Sequence, residues 1–239
     1  MTEPRALRFD YDDPVFREGL TAADALAGSI LLPEYRDVHP RVADRLVLDA
    51  EGMVLDLGCG TGTLGKLLDE RGVPWVGIDR SAVRSKEGYG PRVRGEATAL
   101  PFDGGTFGAV AALYMLYHFE DPLEPLREAA RVLRPGGLFV ACAPADDNYH
   151  ELQPYLRPEP PLTFSSENGP GLLAQVFVDI EVEVWDMHLF RLADERAVWA
   201  HLVSRAHDPE EAAEAARQVR TPLWVRARGA VMWGRKPAA

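Results

Sequence analysis

From Met53 onward the chain alternates short apolar runs with helical stretches, and this alternation constrains the fold more than any other feature. Met53-Val54-Leu55-Asp56-Leu57 reads as a strand that stops at Gly58, and a helix follows to Arg71, where Gly72 supplies the C-terminal stop. Trp75–Asp79 reads as a second strand, 91–95 as a short third and Phe107–Leu113 as a fourth. Asp121 and Pro122 open a helix whose apolar stripe is predicted at Leu123, Leu126, Ala130 and Leu133, with Pro135-Gly136-Gly137 ending it. Leu138 to Ala143 is continuously apolar, as in a strand buried on both faces of a parallel sheet. Strands separated by helices require right-handed crossovers. The class predicted is α/β: a doubly wound, mostly parallel, seven-stranded sheet with helices on both faces.

The flanking regions read differently. Residues 1–50 are polar and helical, with Tyr11-Asp12-Asp13-Pro14 as a turn and a helix from Val38 to Leu48; they are expected to form a cover. The main domain is expected over 51–239, with a proline-rich insertion near 144–163 marked by Pro144, Pro154, Pro158, Pro160 and Pro161. Val178 to Trp185 alternates with period two as a strand does. Asp208-Pro209-Glu210-Glu211 opens a helix with Arg217 and Arg220 toward its end. Leu223 to Trp233 is the last strand, with Gly229 as its expected bulge.

Composition narrows the partners. With 239 residues, one large domain or one domain with a cap is expected. Cys59 and Cys142 are the two cysteines, too few for a disulfide framework or a four-cysteine zinc site, and His150, His188, His201 and His207 lack metal-ligand spacing. No metal is expected. The formal charge of −11 lacks the basic footprint of a nucleic-acid binder. No run reaches the roughly 18–20 apolar residues of a membrane span, and the first residues are too polar for a secretory signal, so a cytoplasmic protein is expected. Nothing in the sequence fixes an oligomeric state.

Chemistry concentrates in Val54–Gly65. Gly58, Gly60 and Gly62 make a tight turn between the first strand and the first helix, with Cys59 and Thr61 between them. Gly60-x-Gly62-x-x-Gly65, with Asp79 lying 19 positions beyond Gly60, also fits a dinucleotide fingerprint. Asp56 argues against that reading, because a carboxylate two residues ahead of the turn repels a pyrophosphate. A ligand with a cationic end and a ribose suits it. S-adenosylmethionine is such a ligand: Asp56 and the Gly58 carbonyl face its amino-acid end, and Asp79 takes the ribose hydroxyls. Capping roles for Asp56 and Asp79 stand beside these assignments.

These residues bring the sequence to a family. Val54-Leu55-Asp56-Leu57-Gly58-Cys59-Gly60-Thr61-Gly62 resembles the first motif of the class I S-adenosylmethionine-dependent methyltransferases that act on small molecules. Gly77-Ile78-Asp79-Arg80-Ser81 is similar to the second, and Gly95–Phe102 to the segment that holds the adenine. Leu113–Phe119 and Glu128–Gly137 complete the likeness, which spans Arg41 to Ala143 and thins afterwards. The resemblance implies cofactor contacts from Asp56, Gly58, Cys59, Gly60, Thr61, Gly62, Asp79, Arg80, Glu96, Ala97, Leu113 and His118. Two departures stand out. Glu96 replaces the usual Asp, and Gly108 replaces the usual acid, a change expected to loosen the local structure.

The loop after the fourth strand is expected to face the pocket. Tyr114 and Tyr117 are assigned to the acceptor, and His118 is the candidate general base, with a positioning role as the alternative. The expected reaction is methyl transfer to a small molecule, releasing S-adenosylhomocysteine. The rivals are consumption of the same cofactor by cyclisation or elimination, a non-catalytic binding module, and a nicotinamide oxidoreductase.

Overall fold

The computed structural model describes residues 38–81, 88–205 and 207–238. The turn at 11–14 and most of the expected N-terminal cover lie outside the described residues. The elements are α1 (Val38–Asp49), β1 (Val54–Leu57), α2 (Thr63–Glu70), β2 (Trp75–Asp79), β3 (Arg92–Arg94), β4 (Phe107–Leu113), α3 (Leu123–Val132), β5 (Leu133–Pro144), α4 (Gly169–Leu173), β6 (Val178–Leu192), α5 (Glu195–Val203), α6 (Pro209–Gln218) and β7 (Leu223–Arg235). Seven strands form one sheet in the order β3-β2-β1-β4-β5-β7-β6, parallel from β3 to β5 and antiparallel where β7 pairs with β5 and β6.

Burial explains this arrangement. Every residue of β1 and of β4 is buried, so both strands need cover on two faces. On one face, Val38, Val42 and Leu46 of α1 and Leu64 and Leu68 of α2 pack with Val54, Val140 and Trp233. On the other, Leu126, Ala129 and Val132 of α3 and Leu173 of α4 pack with Leu55, Val110 and Phe139. A third, smaller cluster joins α5, α6 and the far ends of β6 and β7.

Several sequence expectations need correction. The α3 stripe is Pro125, Leu126, Ala129 and Val132; Ala130 is half-buried, and Leu133 already belongs to β5. Pro135-Gly136-Gly137 does not end a helix. Phe107 pairs with Leu133 and Ala109 with Leu138, so these residues bulge out of the strand, helped by Gly136 at φ 71°. Gly229 is no bulge either; a Cβ there would lie 2.3 Å from the Trp185 ring and 2.5 Å from the Ala143 carbonyl oxygen, so its role is close approach. Gly108 tightens rather than loosens, since a Cβ at that position would fall 1.8 Å from the Glu51 carbonyl oxygen. Arg220 lies beyond the end of α6.

The alternating strand proves longer than 178–185 and sits at the sheet edge. Its valines face out, Val184 being 76% exposed. Its acids are held instead. Arg45 reaches Glu181 at 2.8 Å while lying over the Trp233 ring, and Arg41 pairs with Glu183. Exposed pairs of this kind stabilise by about 0–1 kcal/mol each, so they order the edge more than they strengthen it.

Candidate functional site

Strand order reverses between β1 and β4, and in open α/β sheets ligands bind beyond the carboxyl ends of the strands at that point. The glycine turn closes on itself there. Gly58 and Cys59 donate their amides to the Ile78 carbonyl at 2.8 and 3.2 Å, and Gly62 donates to Cys59. Gly58, Gly60 and Gly62 all have positive φ, and a side chain at 58 would strike Met115, one at 62 the Tyr89 carbonyl. Gly65 serves packing instead, because a Cβ there would meet the Trp75 indole at 2.1 Å. Trp75 is fixed in turn by donating to Asp69 at 2.8 Å and stacking on Tyr89, whose amide donates to the Thr61 carbonyl.

Asp56 ends 3% exposed, and its Oδ2 has no hydrogen-bond partner. Burial pushes its carboxyl up to about 7, with His39 drawing it down and Asp79 adding to the rise. A buried acceptor left unpaired costs free energy, and it marks a place where a ligand donor belongs. Cys59 is buried beside both acids, and burial first, then their charge, raises its thiol to about 12, so it is no nucleophile.

Asp79 ties the turn to β2: its Oδ2 accepts from the Gly60 amide and its Oδ1 from the Ser81 amide, both at 2.8 Å. Each carboxylate oxygen keeps lone-pair capacity for a further donor. Arg80 is exposed, and its carbonyl accepts from Arg94. Glu96 is exposed and bridges to Ala99, whereas Ala97 is buried.

Glu128 and Arg131 of α3 hold this last segment in place, a role not read from the sequence. The Leu100 amide donates to Glu128 at 2.9 Å, and Arg131 donates to the Leu100 and Phe102 carbonyls and to Glu128. The hydrogen bonds from Arg131 hold the Glu128 carboxyl below its usual range. Replacing Glu128 by Ala is expected to lower stability by about 1–2 kcal/mol in urea unfolding, by orphaning the Leu100 amide. It should also weaken any ligand seated on 96–97, read as a several-fold rise in Kd.

β4 ends in Leu113, buried, and the chain then turns through Tyr114 at φ 56°, an uncommon conformation for a bulky residue. Leu116–His118 form a single 3-10 turn. The Tyr114 ring lies 6.3 Å from His39 of α1, and the Tyr117 ring 4.5 Å from His118. Thr163, at the end of the proline-rich segment, donates to the Tyr117 carbonyl at 3.4 Å. Asp56, the glycine turn, Asp79, Ala97 and the 114–118 loop thus stand along one edge of the sheet. His39, at the start of α1, joins them without having been predicted.

A turn of three glycines thus lies at the switch point, with a buried acid that has an unpaired oxygen on one side and the acid ending β2 on the other. Residues 55–141 match the methyltransferase domain family. Its curated relatives include a demethylmenaquinone methyltransferase of Mycolicibacterium gilvum, 40% identical over 102 residues that make up 41% of this chain and 45% of that one. Another of the same name, from Renibacterium salmoninarum, is 31% identical over 159 residues, 59% of this chain and 65% of that one. The chain therefore spans about half to two thirds of the length of these relatives. Among solved structures, the YcgJ protein of Bacillus subtilis aligns with TM-score 0.62 at 17% identity, over 83% of this chain and 99% of that one. The (4+2)-cyclase SpnF aligns with TM-score 0.57 at 21% identity, over 84% and 81%. The fold is common to all of them.

Proposed function

We propose that the chain transfers a methyl group from S-adenosylmethionine to a small-molecule acceptor. The observation that carries this reading is Asp56, a buried carboxylate with an unpaired oxygen at the mouth of a glycine turn. It repels a pyrophosphate and accepts an ammonium. The residues fit the cofactor: Asp56 and the Gly58 carbonyl hold its amino-acid end, Gly60 to Gly62 leave room for its backbone contact, and Asp79 accepts from its ribose. The Ala97 amide and Glu96 border the adenine, with Cys59, Thr61, Arg80 and Leu113 lining the remainder.

Bound there, the cofactor supplies an already electrophilic methyl group on a sulfonium. The protein's task is then orientation, which is worth roughly 7–11 kcal/mol of barrier when two reactants are aligned. Tyr114 and Tyr117 position the acceptor beside β4. His118 receives the acceptor's proton where one must leave. Residues 51–239 form the cofactor-binding domain, closed in part by 144–163, and α1, the described part of the expected cover, packs on one face of its sheet. Among the described residues no helix is long and apolar enough to cross a membrane. With a charge of −11 the chain is read as a cytoplasmic enzyme that does not engage nucleic acid.

Calorimetry tests the ligand. S-adenosylmethionine and S-adenosylhomocysteine are expected to bind and NADH not to, and equal or tighter binding of NADH would sink the reading. Since the cyclase SpnF shares this fold, product analysis tests the reaction. Turnover is expected to leave S-adenosylhomocysteine; methylthioadenosine, or cofactor unchanged with every acceptor tried, would favour the rival uses of the site.

A further inference from the structure

Helix α1 brings an imidazole to the buried acid of the glycine turn. Side chains alternate between the two faces of a strand, and in β1 Leu55 and Leu57 pack with α3 while Val54 packs with α1 and α2. Asp56 therefore points to the face that α1 and α2 cover. Its register partners are Ala111 of β4 and Gly77 of β2, so neither neighbouring strand sets a large side chain beside it. The direction of α1 follows from its ion pairs with the sheet edge. Arg45 meets Glu181, and Arg41, one turn earlier in the helix, meets Glu183 further along β6. The helix thus runs antiparallel to the parallel strands, and its first turn lies at their carboxyl ends, where the glycine turn stands.

His39 occupies that first turn. Val38, Val42 and Leu46 are buried against the sheet, and His39 is half-buried beside them, its ring 6.3 Å from that of Tyr114. Continued past β1, the register of Asp56 with Ala111 sets Leu113 level with Gly58, and Tyr114 is the next residue. His39 therefore stands at the corner where Asp56, Gly58 and the end of β4 converge. In keeping with that placement, its charge is what draws the Asp56 carboxyl down against burial. The helix is held along its length. Arg45 lies 4.2 Å over Trp233, Trp233 donates to Glu183 at 3.1 Å, and Arg71 holds Asp44 at 2.7 Å. Arg92, the cation nearest the turn on its other side, donates to the Gly60 carbonyl at 3.3 Å, and its stem lies against Gly77.

An amino acid carries its ammonium and its carboxylate on one carbon. A ligand that seats the ammonium on the unpaired Oδ2 of Asp56 therefore leaves its carboxylate a few ångströms away, in a site that already holds the acids Asp56 and Asp79. That carboxylate needs a donor. We infer that His39 supplies it: its imidazole N–H donates to the α-carboxylate of the cofactor while Asp56 and the Gly58 carbonyl hold the ammonium. An imidazole carries at least one N–H whatever its charge. This rests on the S-adenosylmethionine reading and extends it, because the site then recognises the whole zwitterion rather than its cationic half. A hydrogen bond to a charged group of this kind is worth about ten- to a hundredfold in affinity.

The test is a cycle of protein and ligand changes read by calorimetry on the full chain. The ligands are S-adenosylhomocysteine and its decarboxylated analogue, 5′-(3-aminopropylthio)-5′-deoxyadenosine, which keeps the ammonium and lacks the carboxylate. The wild type is expected to bind S-adenosylhomocysteine about tenfold or more tightly than the analogue. His39→Ala should lose that factor for S-adenosylhomocysteine alone and leave the analogue's affinity unchanged, so the preference disappears. His39→Gln, which keeps an N–H donor, should retain part of it. Asp56→Asn should weaken both ligands, since both carry the ammonium. Equal wild-type affinities for the two ligands overturn the proposal, and that comparison needs no variant to fold. A preference that survives in His39→Ala also overturns it, by giving the carboxylate to another donor, as does an equal loss for both ligands in that variant. Failure of the wild type to bind S-adenosylhomocysteine at all would remove the cofactor reading itself, and this proposal with it.

Discussion

Asp79→Ala is expected to weaken S-adenosylmethionine and S-adenosylhomocysteine binding by roughly ten- to a thousandfold, and by the same factor for both. A carboxylate accepting from both ribose hydroxyls contributes about 1.5–3 kcal/mol per bond. Substrate and product share the ribose, so neither is spared. The reacting centre is remote, and the maximal rate at saturating cofactor should hold, the mark of uniform binding lost. The carboxylate has a second duty, since it also accepts from the Gly60 and Ser81 amides. Asp79→Asn separates the two: it keeps the shape and one acceptor for the turn but loses the charge. A fall in affinity for both variants, with thermal unfolding changed mainly in the alanine variant, places the ribose on Asp79. Unchanged affinity in both would leave the residue as an anchor for the turn alone.

How far a single chain discloses such a site depends on the distance over which each contact acts. The glycine turn, Asp56 and Asp79 were legible because the strand–turn–helix unit is local and its chemistry is written in consecutive residues. The parallel core was legible because continuous apolar runs have few other places to go. What escaped is physically distinct. Helix α5 buries Ala197, Val198, Ala200, His201, Leu202 and Val203 around most of its circumference, so it carries little amphipathic period to detect. Its cap at Asp194 was the one local signal available. Pro135-Gly136-Gly137 reads as a stop, and only the partner strand shows that it is a bulge. Gly108 and Gly229 are small because a carbonyl and an indole approach them from remote segments. The placement of Arg205 over the Tyr149 ring likewise joins two separate segments, and nothing local encodes it.

The pH dependence of cofactor affinity should follow Asp56. In the free protein burial holds its carboxyl at about 7, against an ordinary 3.8. The ionised form is therefore disfavoured in the fold. The resulting loss of stability is absent below the ordinary value, grows as pH rises from there, and is complete above about 7, where it amounts to about 4 kcal/mol. An ammonium seated against Oδ2 requires the ionised form. Affinity for S-adenosylhomocysteine should then rise about tenfold per pH unit on the acid side and level off above about 7, with a proton released on binding below that point. Asp56→Asn removes both behaviours together. At about pH 8 the variant should unfold at a higher temperature than the wild type, because a neutral amide replaces a buried charge, and it should bind the cofactor more weakly with a flat pH profile. At about pH 4 the two should be nearly equal in stability. A wild-type affinity that ignores pH between about 5 and 8, or a variant that binds as well as the parent at the upper end, would detach Asp56 from the ammonium. Stability lost to a buried acid is what a site built for a cation requires: the charge that the empty fold resists is the one the ligand supplies a partner for.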